Sequence, residues 1–282
     1  MHINIIGAGR LGKNLARALV TQHNVDLVVC NSHLESSKIA AKAIGYGYAV
    51  ANLAELPPAD ITFITTPDDE IQFIIEQLLQ MHRPAHIISH CSGVYSSQLL
   101  KPLQNQNHQI VSIHPLKAFR SNHIEDNAFS QCDCVIEGDS LAVETLSRLF
   151  TTMNANILTI NAAKKHIYHA AAVMASNYIV TLAACARTLM QQSGLTPIEA
   201  QQITHNLMQQ SLNNLKQTTD VKNALTGPLA RGDIKTIATH LSAITEPNIL
   251  ELYQYAGLAT LPLTQLDDDR LKALTQQLRQ DA

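Results

Sequence analysis

The stretch Met1-His2-Ile3-Asn4-Ile5-Ile6-Gly7-Ala8-Gly9-Arg10-Leu11-Gly12 decides the fold. Ile3, Ile5 and Ile6 form a short β-branched apolar run of the kind that makes a fully buried parallel strand. A complete GxGxxG follows at Gly7–Gly12, and then an apolar pattern at helical spacing through Leu15, Ala16, Leu19 and Val20. Each glycine has its own task there. Gly7 permits the tight strand-to-helix turn, Gly9 lets a pyrophosphate reach the backbone, and Gly12 allows the helix to press on the strand. Phosphates would then meet free N–H groups at a helix N-terminus, where the dipole favours negative charge. By itself the spacing marks any glycine turn; between strand and helix it predicts a dinucleotide loop, contacted through Gly7, Gly9, Arg10, Leu11 and Gly12.

Composition sets the outer limits. The 282 residues suit two domains, and 46% apolar with 15% charged residues excludes a disordered chain. A net charge of −3 without a basic block gives nucleic acid or an anionic membrane nothing to hold. Met1 opens directly on the first strand, which leaves no room for a signal peptide. The five cysteines are odd in number and contain no CxxC, as expected of reduced thiols in a cytoplasmic protein.

The second strand, Val25–Cys30, ends in Cys30-Asn31-Ser32-His33. An NAD site usually places Asp or Glu here to hold the ribose 2′-hydroxyl. No carboxylate is present to repel a 2′-phosphate, Asn31 and Ser32 can donate to one, and Arg10 can supply charge, so the expected cofactor is NADP(H). Asn31 and Ser32 also suit a polar loop that caps the next helix.

Further units alternate. Strands are expected at Ala49–Val50, Ile61–Thr65, Ile87–Ser89, Ile110–Ile113, Cys132–Ile136 and Ile157–Ile160, with helices closing at Ile44 and spanning Ile71–Leu79. Polar motifs (Thr66-Pro67-Asp68, His90-Cys91-Ser92-Gly93, His114-Pro115) recur at carboxyl strand ends, where an open parallel sheet binds ligands. After Asn161 only helices are expected. This gives a Rossmann domain over 1–161 and an all-helical substrate and dimerisation domain over 162–282. The helix from Lys164 to about Arg187 is alanine-rich and apolar almost all round, so its own domain or a second subunit should bury it. Ser176, Asn177 and Thr181 argue against a membrane span. Thr196-Pro197-Ile198-Glu199 starts another helix with a capping box, and later helices follow Asp233, Pro247 and Asp267.

The motifs GAGRLG, TPDDEI, HCSG, HPLKAF, KHIYHAAAVMASNY and LTGPLARGD, in that order, resemble the 6-phosphogluconate and β-hydroxyacid dehydrogenase superfamily, which includes pyrroline-5-carboxylate and ketopantoate reductases. Within it they are similar to Rossmann-like proteins of the DUF2520 type. The resemblance implies a Rossmann domain followed by a helical domain, with a cofactor loop at Thr66 and Pro67. It also implies a lysine at the start of the long helix, matched by Lys165, although Lys164 competes for the register. Where hydroxyacid dehydrogenases place an asparagine four residues on, this chain has His169.

Lys165 and His169 are one turn apart and should share a face, where a lysine near an imidazolium and partly desolvated exchanges its proton more readily. His114 ends a strand before a proline and should point to the nicotinamide end, or else bond a neighbouring loop. Ser92 is expected to contact substrate or nicotinamide, and Arg231 to fork a substrate carboxylate or phosphate, while Asp68 and Asp233 suit helix caps. His166 and His169, three apart on a helix, are close enough to share a metal that His90, Cys91 and His114 could join, but hydride transfer needs none. The favoured function is an NADP(H)-dependent oxidoreductase acting on a small polar C=O or C=N substrate, as a homodimer. A deazaflavin-linked NADP reductase and a non-catalytic NADP(H)-binding or sensing protein are the rival readings.

Overall fold

The computed structural model describes residues 1–119 and 123–279. The chain forms two compact units, Met1–Val173 and a second from Met174 onward.

In the first unit, strands and helices alternate: β1 His2–Ile6, α1 Arg10–Gln22, β2 Asp26–Cys30, α2 Leu34–Ile44, β3 Tyr48–Val50, β4 Ile61–Ile64, α3 Asp68–Gln80, β5 Ile87–His90, α4 Lys101–Gln104, β6 Gln109–Pro115, β7 Asp133–Gly138, α5 Ser140–Thr152 and β8 Asn156–Thr159. The described strands make one eight-stranded sheet, ordered β3-β2-β1-β4-β5-β6-β7-β8. Every neighbouring pair is parallel except β6 and β7, which run antiparallel with His114 opposite Val135 and Ser112 opposite Glu137. The strands were expected within a residue or two; the reversal at β7 was not. No local residue announces a strand's direction, because direction depends on where the connecting chain returns.

Alternation splits the core in two. Ile3, Ile5, Phe63, Val111 and Ile136 pack with Leu15 and Leu19 of α1 and Leu146 and Phe150 of α5. Ile6, Ile64, Ile88 and Ile110 pack with Ile71 and Ile75 of α3. Cys132 and Cys134 are buried in the first cluster with sulfurs 4.0 Å apart, and the described cysteines are free thiols.

The helical part comprises α6 Lys165–Gln192, α7 Pro197–Lys216, α8 Pro228–Arg231, α9 Ile234–Ala243, α10 Pro247–Thr260 and α11 Asp268–Arg279. The first compact unit takes in the opening turns of α6, so it runs past Asn161 to Val173. Thr196 and Glu199 form the expected capping box at α7. The second unit's core is Ile237, Leu261, Leu274 and Leu278, from α9, α11 and the turn after α10.

The expectation that the long helix is buried on all sides does not hold within one chain. Among the described residues, Lys165 is the one buried side chain of α6, while Ile167, Met174 and Val180 are 68%, 66% and 71% exposed. By length and composition this helix could also cross a membrane.

Candidate active site

The glycine loop is built as its spacing requires. Gly7 has φ +88°, which side chains other than hydrogen rarely adopt, and its N–H donates to the Cys30 carbonyl. A Cβ on Gly7 would meet Thr66 at 2.5 Å, and one on Gly12 would meet Thr65 Oγ1 at 2.5 Å and the Gly7 carbonyl at 2.7 Å. A Cβ on Gly9 would meet nothing nearer than 4.0 Å. Two glycines are thus spent on packing, and the middle one faces open space. The first N–H groups of α1, beginning at Arg10, have no acceptor within the helix. The loop therefore fits a pyrophosphate held on backbone amides and the positive helix end.

Neighbouring polar residues divide between building this loop and remaining free. Asn31 is a builder: its Oδ1 accepts from the Ala8 N–H at 2.6 Å and its Nδ2 donates to the Ser36 carbonyl at 3.0 Å. Its side chain thus braces the glycine loop against the first turn of α2, the loop role expected beside the 2′-phosphate contact. Ser32 and Arg10 are exposed. Pro67 is the residue before α3, with Asp68 in the first turn rather than capping it. Thr66 packs on Gly7, and its Oγ1 is buried without a partner among the described residues.

At the ends of β5 and β6 the sheet changes character. Residues paired across adjacent strands share a face. Ile6 pairs Ile64, Ile64 pairs His90, His90 pairs Ser112 and Ser112 pairs Glu137. An apolar row thus turns polar over its last three strands, and His90, Ser112 and Glu137 are all buried.

Lys165 closes that row. Its side chain is fully buried, and its ammonium donates to Ser112 Oγ and lies 3.3 Å from Glu137 Oε1. Glu137 also accepts from the Ser97 N–H at 2.8 Å and the Ser97 hydroxyl at 2.6 Å. His90 is equally committed. Its Nδ1 accepts from the Ser92 N–H at 3.2 Å and lies 3.4 Å from Ser112 Oγ, while its Nε2 faces the Ser96 carbonyl at 3.0 Å. Nε2 is therefore the protonated nitrogen. Burial first, and then the Lys165 charge, push His90 down to about 3. Burial also lowers the proton affinity of Lys165, against the opposing pull of Glu137. The expected depression of Lys165 is present, and of its two expected causes the one at work is desolvation, with no imidazolium beside it. The lysine expected to face substrate is instead held in a buried ion pair.

Beside this pair stands a second cluster. His114 Nδ1 lies 3.0 Å from Tyr168 Oη, and the His114 and His169 rings meet edge to face with centroids 5.7 Å apart. Burial, then His169 and Lys165, hold His114 down at about 4. Gly93 makes room for both rings. A Cβ there would come within 2.4 Å of His169 Nδ1 and 2.9 Å of His114 Cε1. His169 Nδ1 is buried without a hydrogen-bond partner among the described residues. His114 sits at the carboxyl strand ends, and its partner is Tyr168 of α6 in place of the expected neighbouring loop.

Ser92 has a structural task. Its hydroxyl accepts from the Val94 and Tyr95 N–H groups at 3.2 and 3.0 Å, fastening the loop that carries Gly93. Arg231, in the second unit, pairs with Asp233 at 2.7 Å, so Asp233 answers that guanidinium and makes no side-chain cap to α9. Among the described residues no three His, Cys, Asp or Glu side chains converge as a metal site.

Glu137, Ser112 and Tyr168 are the residues the sequence reading missed. A carboxylate in the apolar strand Cys134-Val135-Ile136-Glu137 was the available signal, since such a group demands a buried cation.

Residues 1–115 match the Rossmann-like domain family, and residues 132–260 match the domain of unknown function DUF2520. No curated protein matches the chain. Among solved structures, a Bacteroides fragilis protein provisionally assigned as an NADP oxidoreductase is similar with a TM-score of 0.76 and 21% identity, over 93% of this chain and 98% of that one. A Thermotoga maritima protein has a TM-score of 0.70 and 22% identity, over 98% and 99%. The pyrroline carboxylate reductase of Plasmodium falciparum, solved with NADP bound, has a TM-score of 0.57 and 12% identity, over 93% and 98%. At these identities the likeness is one of fold.

Proposed function

This chain carries a Rossmann-like domain followed by a DUF2520 domain, and from that premise we propose that it is an NADP(H)-dependent oxidoreductase acting on a small polar C=O or C=N substrate. The observation that carries the reading is the glycine loop, packed tight at Gly7 and Gly12 and open at Gly9, on the same strand-end edge as the His114–Tyr168–His169 cluster. When bound, NADP(H) supplies the hydride; the protein supplies orientation and charge. Arg10, Leu11 and Gly12 offer amides to the pyrophosphate, and Arg10 and Ser32 are the exposed groups suited to a 2′-phosphate. His114 and His169 take the substrate side, with Lys165 and Glu137 forming the charged floor behind them.

One observation favours a second reading, a non-catalytic NADP(H)-binding protein. Lys165, the superfamily's lysine position, is spent on Glu137 and Ser112. Assay against a panel of small ketones, 2-oxo acids and cyclic imines, following NADPH absorbance, separates the two. Turnover supports the enzyme, and tight binding without turnover supports the sensor. Arg10→Ala should weaken NADPH selectively over NADH, by roughly the 1.5–3 kcal/mol of a charge-assisted hydrogen bond. Equal loss for both cofactors would assign Arg10 to the pyrophosphate.

A further inference from the structure

We propose that Tyr168 is a positioning residue that fixes His114 as its Nε2–H tautomer, so that His114 acts as a neutral hydrogen-bond donor to the substrate heteroatom. The inference rests on the oxidoreductase reading and assigns a role that the sequence left open between proton donor and structural histidine.

Tyr168 has a single hydroxyl proton, and its Oη lies 3.0 Å from His114 Nδ1, with the rings nearly perpendicular at 81°. Burial pushes the phenol up to about 12, so it keeps its proton through neutral pH. Donation from Oη to Nδ1 satisfies that proton and the ring's lone pair together. The reverse bond, Nδ1–H to Oη, would leave the hydroxyl proton in search of a second acceptor. With Nδ1 occupied as an acceptor, a neutral imidazole carries its proton on Nε2.

The surroundings keep the ring neutral. His169 and Lys165 face it from α6, Glu137 on β7 compensates Lys165, and His90 on β5 is itself neutral. Burial and these charges together hold His114 at about 4. A neutral imidazole polarises a carbonyl or imine by donating a hydrogen bond that strengthens as negative charge gathers on the heteroatom. No bond to hydrogen breaks at His114 in this role.

Imidazole nitrogen NMR tests the tautomer directly. Full-length protein labelled with nitrogen-15 in histidine, with His114 assigned by its loss in His114→Gln, should show the Nε2–H pattern, unchanged between pH 8 and 5.5. Tyr168→Phe should turn that signal into a tautomer mixture and lower kcat/KM by about tenfold, as loss of an orienting partner does. An Nδ1–H signal in the wild type, or titration of His114 near 6.5, overturns the inference, and the wild-type spectrum decides this even if Tyr168→Phe folds poorly. A His114 signal identical in wild type and Tyr168→Phe also overturns it. The spectrum needs neither cofactor nor substrate, so it separates the two claims. An Nε2–H signal in a protein without turnover overturns the enzymatic reading alone. Turnover with an Nδ1–H signal overturns the tautomer assignment alone.

Discussion

Lys165 and Glu137 set the stakes at the scale of single residues, because both charges are taken fully out of water and answer one another. Removing one partner strands the other. Glu137→Gln should therefore cost about 3–5 kcal/mol, read as a shift in the urea midpoint. The double variant Glu137→Gln with Lys165→Met should recover more than half of that. A single variant as stable as wild type would show that the pair does not hold this part of the sheet. His90 and His114 add a dependence on pH. Each is neutral when folded and would titrate near 6.5 when unfolded, so as pH falls the unfolded chain takes up protons first. Stability is complete above about 6.5 and falls below it, until the folded rings titrate near 3 and 4. Each ring contributes a slope of about 1.4 kcal/mol per pH unit across its window. Unfolding free energies at pH 7, 6 and 5 should fall less steeply in His90→Asn than in wild type; parallel slopes would refute the assignment. Little of this was legible in advance. His114 and His169 stood out in the sequence, but Ser112 and Glu137 become partners only through the β6–β7 pairing.

Among elements, the β1–α1 junction was the most legible, because strand, glycine turn and helix follow one another directly in sequence. Gly12 lies against Thr65 and the Gly7 carbonyl, so Gly12→Ala should lower stability by roughly 1–3 kcal/mol through overpacking. Thermal or urea melts check this, and an unchanged melt would show that the helix has slack over the strand. The direction of β7 was not legible, because hydrophobic alternation reports which face a residue occupies and carries no sign for chain direction. The helix α6 was legible in type and in its start, but it runs past the expected Arg187 to Gln192 and its environment was not legible. An apolar helix reads the same whether its cover comes from its own chain or from another.

On the scale of the whole molecule, α6 and α7 both carry exposed apolar side chains, among them Met174, Tyr178, Val180, Ile198 and Leu207. Water contact over that much apolar surface is costly. A second copy of the chain is the proposed cover, since the polar Ser176 and Asn177 within α6 suit a protein interface better than lipid. Light scattering at micromolar concentration should give the mass of a homodimer, and a monomer at that concentration would contradict it. The division into a sheet domain and a helical domain was readable from the change of pattern after Asn161. The first turns of α6 join the sheet unit because Lys165 and Tyr168 reach back to β6 and β7, which no local pattern encodes. The central claim is that the glycine loop holds NADP(H). Calorimetric titration of NADPH into wild type and Gly9→Ala tests it most directly, because a methyl at Gly9 fills open space and disturbs no neighbour. The account predicts saturable binding to the wild type, at least about tenfold weaker in Gly9→Ala, with the two proteins melting at the same temperature. No NADPH binding by the wild type, or equal affinity in both proteins, would contradict it.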